Sequence, residues 1–268
     1  MAFGARFKGK SLTDQRLTRV KNILDLSDKT ILVTGAASGI GREAAITISR
    51  LGAKIILLDI SAEGLQDTLH SLEGEGHIIK VTDLTDFEFL KILVNEVVEK
   101  CGKLNGLVHC AGISSRKPLN VLSYDGFGKV MDINFYSFVE LVKNATKKKY
   151  FEDGGSIVVM SSISSIRGYK AKAEYCVSKA AVDAFVRCMA LELAERKIRV
   201  NSIMPGAVIT PMAIKAQTLN NQLGTDSFEA PLGNTEPYEV ANMIAFLLSN
   251  ATKTITGTSI LMDGGACI

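Results

Sequence analysis

Tyr175 and Lys179 stand four positions apart in the run Tyr175-Cys176-Val177-Ser178-Lys179. On a helix this spacing puts a phenol and an ammonium on one face. A free phenol titrates near pH ~10, too weak an acid for efficient proton exchange at neutrality. A cation about 4 Å away, at an effective dielectric of about 20, favours the phenolate by up to about 4 kcal/mol, or about 3 pK units. Such a pair can exchange a proton with a carbonyl or alcohol oxygen. Ser162 follows the apolar run Ser156–Ser161 (SIVVMS), where its hydroxyl would face the same chemistry. Taken singly, a serine there reads as a cap or turn residue, and an isolated Tyr-x-x-x-Lys as a surface pair.

A second cluster gives that pair its weight. Thr34-Gly35-Ala36-Ala37-Ser38-Gly39-Ile40-Gly41 lies between the β-rich run Thr30–Thr34 and a helical pattern from Gly39 to Leu51. Glycines there permit a tight turn and close backbone approach to phosphate, and the helix N-terminus offers unpaired N–H groups. Asp59 ends the next apolar run, Lys54–Asp59 (KIILLD), at the spacing where an acid meets an adenosine ribose. The alternative for Asp59 is a cap for the following helix. A carboxylate at this point repels a 2′-phosphate, Ile60 and Ser61 bring no cation, and Ser38 precedes Gly39. The pattern predicts NAD(H) over NADP(H).

These residues need a frame. Apolar runs at Thr30–Thr34, Lys54–Asp59, His77–Val81, Asn105–His109, Ser156–Ser161, Ile198–Ile203 and Ser259–Met262 alternate with helical patterns. The helices are expected at 39–51, 62–73, 86–101, 128–150, 174–195 and 237–248. Strand–helix alternation implies a parallel sheet covered on both faces, doubly wound by right-handed crossovers. The reading is a single-domain, Rossmann-type α/β fold of seven parallel strands spanning 28–268, with a basic extension at 1–27. Residues 210–236 read as a substrate loop. Helix 174–195 is apolar nearly all round, which predicts burial nearly all round, within the chain or against a second subunit.

Composition narrows the class. In 268 residues, 47% are hydrophobic and 22% charged, and the net charge of +3 gives no reason to expect nucleic acid or an anionic membrane. Trp is absent. The five Cys, at 101, 110, 176, 188 and 267, have no CxxC spacing and read as reduced thiols. His70, His77 and His109 form no cluster with Cys or carboxylates, so no metal site is expected. No apolar run reaches the roughly 18 residues of a membrane span, and no signal-peptide stretch opens the chain, which makes the cytoplasm the default.

Taken together, TGAASGIG (34–41), Asp59, Asp83-Leu84, CAG (110–112), Asn134, Ser162, YCVSK (175–179), PGAVIT (205–210) and MDGG (262–265) resemble a classical short-chain dehydrogenase/reductase in order and spacing. The resemblance covers about residue 28 to the C-terminus. It implies Tyr175 as general acid/base, Lys179 holding the nicotinamide ribose, Ser162 polarising the carbonyl, and Asn134 binding a water that relays protons. It implies cofactor contacts from Gly35, Ser38, Gly39, Ile40 and Gly41, from Asp83 and Leu84 at the adenine, and from the backbone of Cys110, Ala111 and Gly112. Pro205 and Gly206 would lead Val208 and Thr210 to the carboxamide. A homotetramer or homodimer is implied, with helices 174–195 and 128–150 in the interfaces. His109-Cys110 departs from the family's frequent Asn-Asn, which puts side-chain ties between neighbouring strands in doubt.

The leading expectation is an NAD(H)-dependent oxidoreductase that interconverts a small-molecule secondary alcohol and a ketone. A reductase of 3-oxoacyl groups on an acyl carrier is the alternative, met by Arg116, Lys117, Arg167, Lys170 and Lys172 near the entrance. An NAD-binding regulator without chemistry is the alternative from another class.

Overall fold

The computed structural model describes residues 23–214 and 230–268. Residues 1–22 of the predicted extension and 215–229 of the predicted substrate loop lie outside the described residues. Leu26, assigned to the extension, is already core: it is fully buried, and its N–H donates to Leu51 O at 2.9 Å.

Seven parallel strands form one sheet: β1 (Thr30–Thr34), β2 (Lys54–Asp59), β3 (Ile78–Val81), β4 (Leu104–His109), β5 (Phe151–Met160), β6 (Arg199–Pro205) and β7 (Ser259–Met262), in the order β3-β2-β1-β4-β5-β6-β7. The helices are α1 (Gly39–Arg50), α2 (Ala62–His70), α3 (Phe87–Cys101), α4 (Tyr124–Met131), α5 (Ser137–Ala145), α6 (Ala173–Glu192) and α7 (Pro237–Leu248). Strand order reverses between β1 and β4, so a crevice opens at their C-terminal ends, where open α/β sheets bind ligands.

The continuous apolar runs have a direct cause. Along β1, Ile31 and Val33 pack with Ala44, Ala45 and Ile48 of α1 and with α7. Leu32 faces the other way, into a core with Leu90, Leu93 and Val97 of α3, Phe138 and Leu141 of α5, and Val182 and Val186 of α6. With both faces covered there is no polar side to alternate with. Each fully buried Leu, Ile or Val contributes about 1.5–3 kcal/mol relative to exposure.

Several bounds shift by one to three residues, and three segments call for comment. The helix predicted over 128–150 starts earlier, where Ser123 Oγ accepts from Gly126 N at 3.1 Å. It passes through a π-helical turn (Asp132–Tyr136) and stops at Ala145. Tyr150 lies beyond it, anchored by its hydroxyl donating to Asn95 Oδ1 at 2.7 Å. Strand β5 begins at Phe151, before the apolar run, because Phe151 pairs with Leu104 across a bulge. Helix α6 is buried on one side by its own chain: Glu174, Ser178, Lys179, Val182, Asp183, Val186 and Ala190 face inward, while Val177, Ala180, Ala184, Cys188 and Leu191 form an outward stripe, the side that the sequence reading left to a second subunit. A single chain supplies layers for one side of this helix.

Candidate active site

A cleft of about 1010 Å³ runs along the C-terminal ends of β1, β2 and β4. Its first wall is the glycine turn. Gly35 has φ +67°, and a Cβ there would sit 2.7 Å from Ala111 N. A Cβ on Gly41 would sit 2.2 Å from Gly35 O. These contacts press the β1–α1 turn against the loop after β4, and a side chain at either place would force them apart.

The helix that follows is left electrically open. The N-terminal turns of α2, α3 and α4 are capped by Ser61, Asp86 and Ser123, each with an acid in the first turn. Helix α1 has neither: Ser38 makes no side-chain cap bond and no acid stands in its first turn. Its unpaired N–H groups and positive dipole end therefore face the cleft without a resident anion. Asp59 closes the second wall. Its Oδ2 accepts from Ala37 N at 3.1 Å and its Oδ1 from Ser61 N at 3.0 Å, so one carboxylate positions the glycine turn and the start of the next segment. The cap of α2 is Ser61 and not Asp59, whose carboxylate holds the Ser61 N–H from behind. Arg42, the cation next to the glycine turn, is committed to Ala37 O, Gly64 O and Thr68 Oγ1. Asp83 accepts from Thr85 N and Thr85 Oγ1 at 2.9 and 2.7 Å, which hold its carboxyl below the usual range.

The structure brings Gly35, Ser38, Gly39, Ile40, Gly41, Asp59, Asp83, Leu84, Cys110, Ala111, Gly112 and Thr210 to this cleft. Pro205 ends β6, Gly206 follows it, and Val208 is buried in a bridge to Thr235; none of the three lines the cleft wall. They act behind it, placing Thr210, whose methyl would lie 3.3 Å from a Cβ on Gly39. Sequence reading missed the wall supplied by Tyr124, Lys129, Asp132, Ile133 and Tyr136 of α4 and the π turn. The serine cap at 123 was the available signal.

The four predicted catalytic residues converge beside the cleft. Ser162 Oγ accepts from Ser164 N at 3.1 Å, which leaves its hydroxyl hydrogen for the Tyr175 phenol. Lys179 Nζ lies 5.7 Å from the Tyr175 ring centroid and donates to Met160 O at 2.8 Å. A Cβ on Gly112 would meet Asn134 Oδ1 at 3.1 Å and Lys179 Nζ at 3.6 Å, so both reach the cleft-lining loop. Asn134 clasps that loop: its Oδ1 accepts from Ile113 N at 2.7 Å and its Nδ2 donates to Ile113 O and Ser178 Oγ, both at 3.0 Å. Both amide hydrogens are thereby committed, so a relay water would rest on an acceptor of Asn134 and not on its NH₂.

Burial pushes the Tyr175 phenol up, and the Ser162 hydroxyl draws it part of the way back. The Lys179 ammonium stands farther from the phenol ring than the about 4 Å used above, at 5.7 Å from its centroid. The ammonium is turned to the Met160 carbonyl, and burial draws it down to about 8. Beneath it, one helical turn on, lies buried Asp183, which sequence reading passed over. Its Oδ2 accepts from Ser161 Oγ at 2.9 Å and its Oδ1 from Ser202 Oγ at 2.6 Å. One carboxylate thus fastens α6 to the ends of β5 and β6. A charge inside the apolar stretch Ala180–Val186, in register with Lys179, was the signal.

At His109-Cys110 the structure keeps a side-chain tie between neighbouring strands. His109 Nδ1 lies 2.9 Å from Thr34 Oγ1, which also accepts from Ala111 N at 3.2 Å; Nε2 lies 3.4 Å from Ser137 Oγ, which donates to Ile133 O. A neutral ring with its proton on Nε2 satisfies this chain. Burial draws the imidazole down to about 3 and pushes the Cys110 thiol up to about 12. The histidine therefore ties β4 to β1 and takes no part in proton exchange.

Comparison with known proteins follows the same outline. A family profile described as Enoyl-(Acyl carrier protein) reductase matches residues 35–267. The chain is similar to a 3-oxoacyl-[acyl-carrier-protein] reductase FabG of Thermotoga maritima, 35% identical over 91% of this chain and 99% of that protein. It is also similar to an NAD-dependent glycerol dehydrogenase of Listeria innocua, 32% identical over 91% and 96%. Among solved structures, carveol dehydrogenase from Mycobacterium avium in complex with NAD superposes with a TM-score of 0.83, at 27% identity over 90% of this chain and 98% of that one.

Proposed function

Because the chain belongs to the short-chain dehydrogenase/reductase family, we propose that it is an NAD(H)-dependent oxidoreductase interconverting a small-molecule secondary alcohol and a ketone. The observation that carries this reading is the convergence of Ser162, Tyr175 and Lys179 beside a cleft whose glycine turn and uncapped helix fit a pyrophosphate. The residues present fit the dinucleotide: Gly35 and Gly41 leave room a Cβ would fill, and Asp59 stands where ribose hydroxyls are accepted. Asp59, with Arg42 already committed, supports NAD(H) over NADP(H).

When bound, the nicotinamide accepts or donates the hydride and, when oxidised, carries a positive charge. In reduction, Ser162 donates a hydrogen bond to the ketone oxygen while Tyr175 delivers the proton to it. In oxidation, the phenolate of Tyr175 takes the hydroxyl proton. Lys179 holds the ribose and fixes the backbone of Met160, and Asn134 holds the loop at Ile113. The site residues named here are a proposal.

Reduction of 3-oxoacyl groups on a carrier remains the second reading, favoured by the likeness to the Thermotoga protein. The outward stripe of α6 supports a homotetramer or homodimer. Among the described residues no helix is long and apolar enough to cross a membrane, and a cytoplasmic site of action is part of the proposal. The test is NADH consumption across a panel of ketones, with NADPH in parallel. Turnover with NADH that Tyr175→Phe abolishes supports the reading; a kcat/KM larger with NADPH than with NADH overturns the cofactor preference.

A further inference from the structure

One cation beside Tyr175 meets no carboxylate among the described residues. Of the five basic residues that the sequence reading set near the entrance, Lys117 is paired with buried Glu174 at 3.3 Å, and Glu174 also accepts from Ser115 Oγ. Arg167 Nη1 donates to Ala266 O at 3.0 Å and lies over the Tyr169 ring. Lys170 is exposed. Lys172 is different. It is half-buried, and no carboxylate among the described residues reaches its ammonium. That ammonium rests 5.0 Å from the centroid of Tyr169 and 5.9 Å from that of Tyr175. Arg116 stands close enough to oppose its charge, and burial with that repulsion draws it below the ordinary lysine value.

Its place is fixed by backbone. Lys117 N donates to Ala171 O at 2.7 Å, joining the loop after β4 to the loop before α6. Ala171 takes φ +62°, a conformation that side chains with a Cβ rarely adopt. Partial burial makes the charge costly, and two aromatic faces offset part of that cost. An anion within reach of this ammonium would offset more of it.

We propose, resting on the redox reading above, that the substrate is an anionic ketone or alcohol, an oxo- or hydroxycarboxylate, whose carboxylate is bound by Lys172 while its reacting oxygen lies on Tyr175 and Ser162. Lys172 is then a specificity-determining residue of the same site.

The test compares acetoacetate and longer oxo-carboxylates, each beside its methyl ester, together with a neutral 3-oxoacyl thioester, all with NADH. The expected result is a kcat/KM for one or more acids at least ten-fold above its ester. Lys172→Met should level the kcat/KM of acid and ester. Equal rates on acid and ester, a preference that survives Lys172→Met, or best turnover of the neutral thioester overturns the proposal. Calorimetric titration of NADH-loaded Tyr175→Phe with the same acids reads binding apart from chemistry. Saturable binding that Lys172→Met removes supports the site even where no ketone turns over, a result that would instead count against the redox reading. Absence of such binding sinks the site and leaves the redox reading standing.

Discussion

Tyr175 carries the proton, so its substitution separates chemistry from binding. Tyr175→Phe removes one oxygen at a buried contact with Ser162. Turnover is expected to fall by about 10²–10⁴-fold while NADH affinity, read by fluorescence titration, stays within a few-fold. His109 makes the opposite case, a polar residue at the site edge whose role is structural. Its folded pKa of about 3 lies below the ordinary 6.5. Between those values the unfolded chain binds the proton and the folded chain does not, so stability falls as pH drops through 6.5. From pH 7 to pH 5 this group alone should cost about 2 kcal/mol. Urea unfolding of wild type against His109→Asn should show that much steeper a loss in the wild type; parallel losses would contradict the buried neutral ring. The places of Tyr175, Lys179, Ser162 and Asp59 in the fold were legible because each sits at a fixed interval from a strand end or helix start. What the interval did not carry was the direction of the Lys179 ammonium. That depends on Met160 O, a carbonyl on another element.

Between elements, the site depends on two kinds of join. One is close backbone contact. Gly41→Ala would drive a Cβ into Gly35 O, pushing α1 off the turn that it begins. At least a ten-fold loss of NADH affinity is expected, about 1.4 kcal/mol. Gly128→Ala has the opposite sign for stability: it lies inside α4 with nothing within 4 Å of the added methyl, and should raise stability by about 0.5–1 kcal/mol. The other join is a buried charge. Asp183 fastens α6 to β5 and β6 through Ser161 and Ser202. Asp183→Ala leaves both hydroxyls without that acceptor, and a loss of about 2–4 kcal/mol in chemical denaturation is expected, with kcat reduced because Ser162 adjoins Ser161. Asp183→Asn, which keeps one acceptor, should recover part of both; equal behaviour of the two variants would remove the clamp from the account. The strands and most helices could be read from apolar runs because burial on both faces leaves a strong signal. The π turn had no such signature, since 132–136 continues the helical pattern on either side. The early half of β5 was hidden by Glu152, Asp153 and Gly154, which are polar or small and lie at the register shift between the Leu104–Phe151 and Gly106–Ser156 pairs.

At the scale of the molecule, one sheet and two helical layers enclose the cleft within a single chain, and what they leave over is the outer side of α6. Val177, Ala180, Ala184, Cys188 and Leu191 follow one another at helical spacing, with Val177 at 49% and Leu191 at 80% exposure. Small residues in the middle of such a stripe let a second helix approach closely, and apolar ends supply the area. The sequence marked this helix as apolar all round, but could not say which side the chain itself would cover; that follows from Lys179, Val182, Asp183 and Val186 facing the sheet. The exposed stripe also lies behind Tyr175 and Lys179, so a partner packed there would stiffen the helix that carries both. Leu191→Glu places a charge on the stripe without touching the cleft. Size-exclusion chromatography with light scattering should give a multiple of the 28.9 kDa chain for the wild type and a smaller mass for the variant. NADH binding should persist in the separated chain, because every cleft wall described above comes from one protomer. A wild-type protein that runs at the mass of one chain, or a variant whose mass does not change, would show that this face is not the interface.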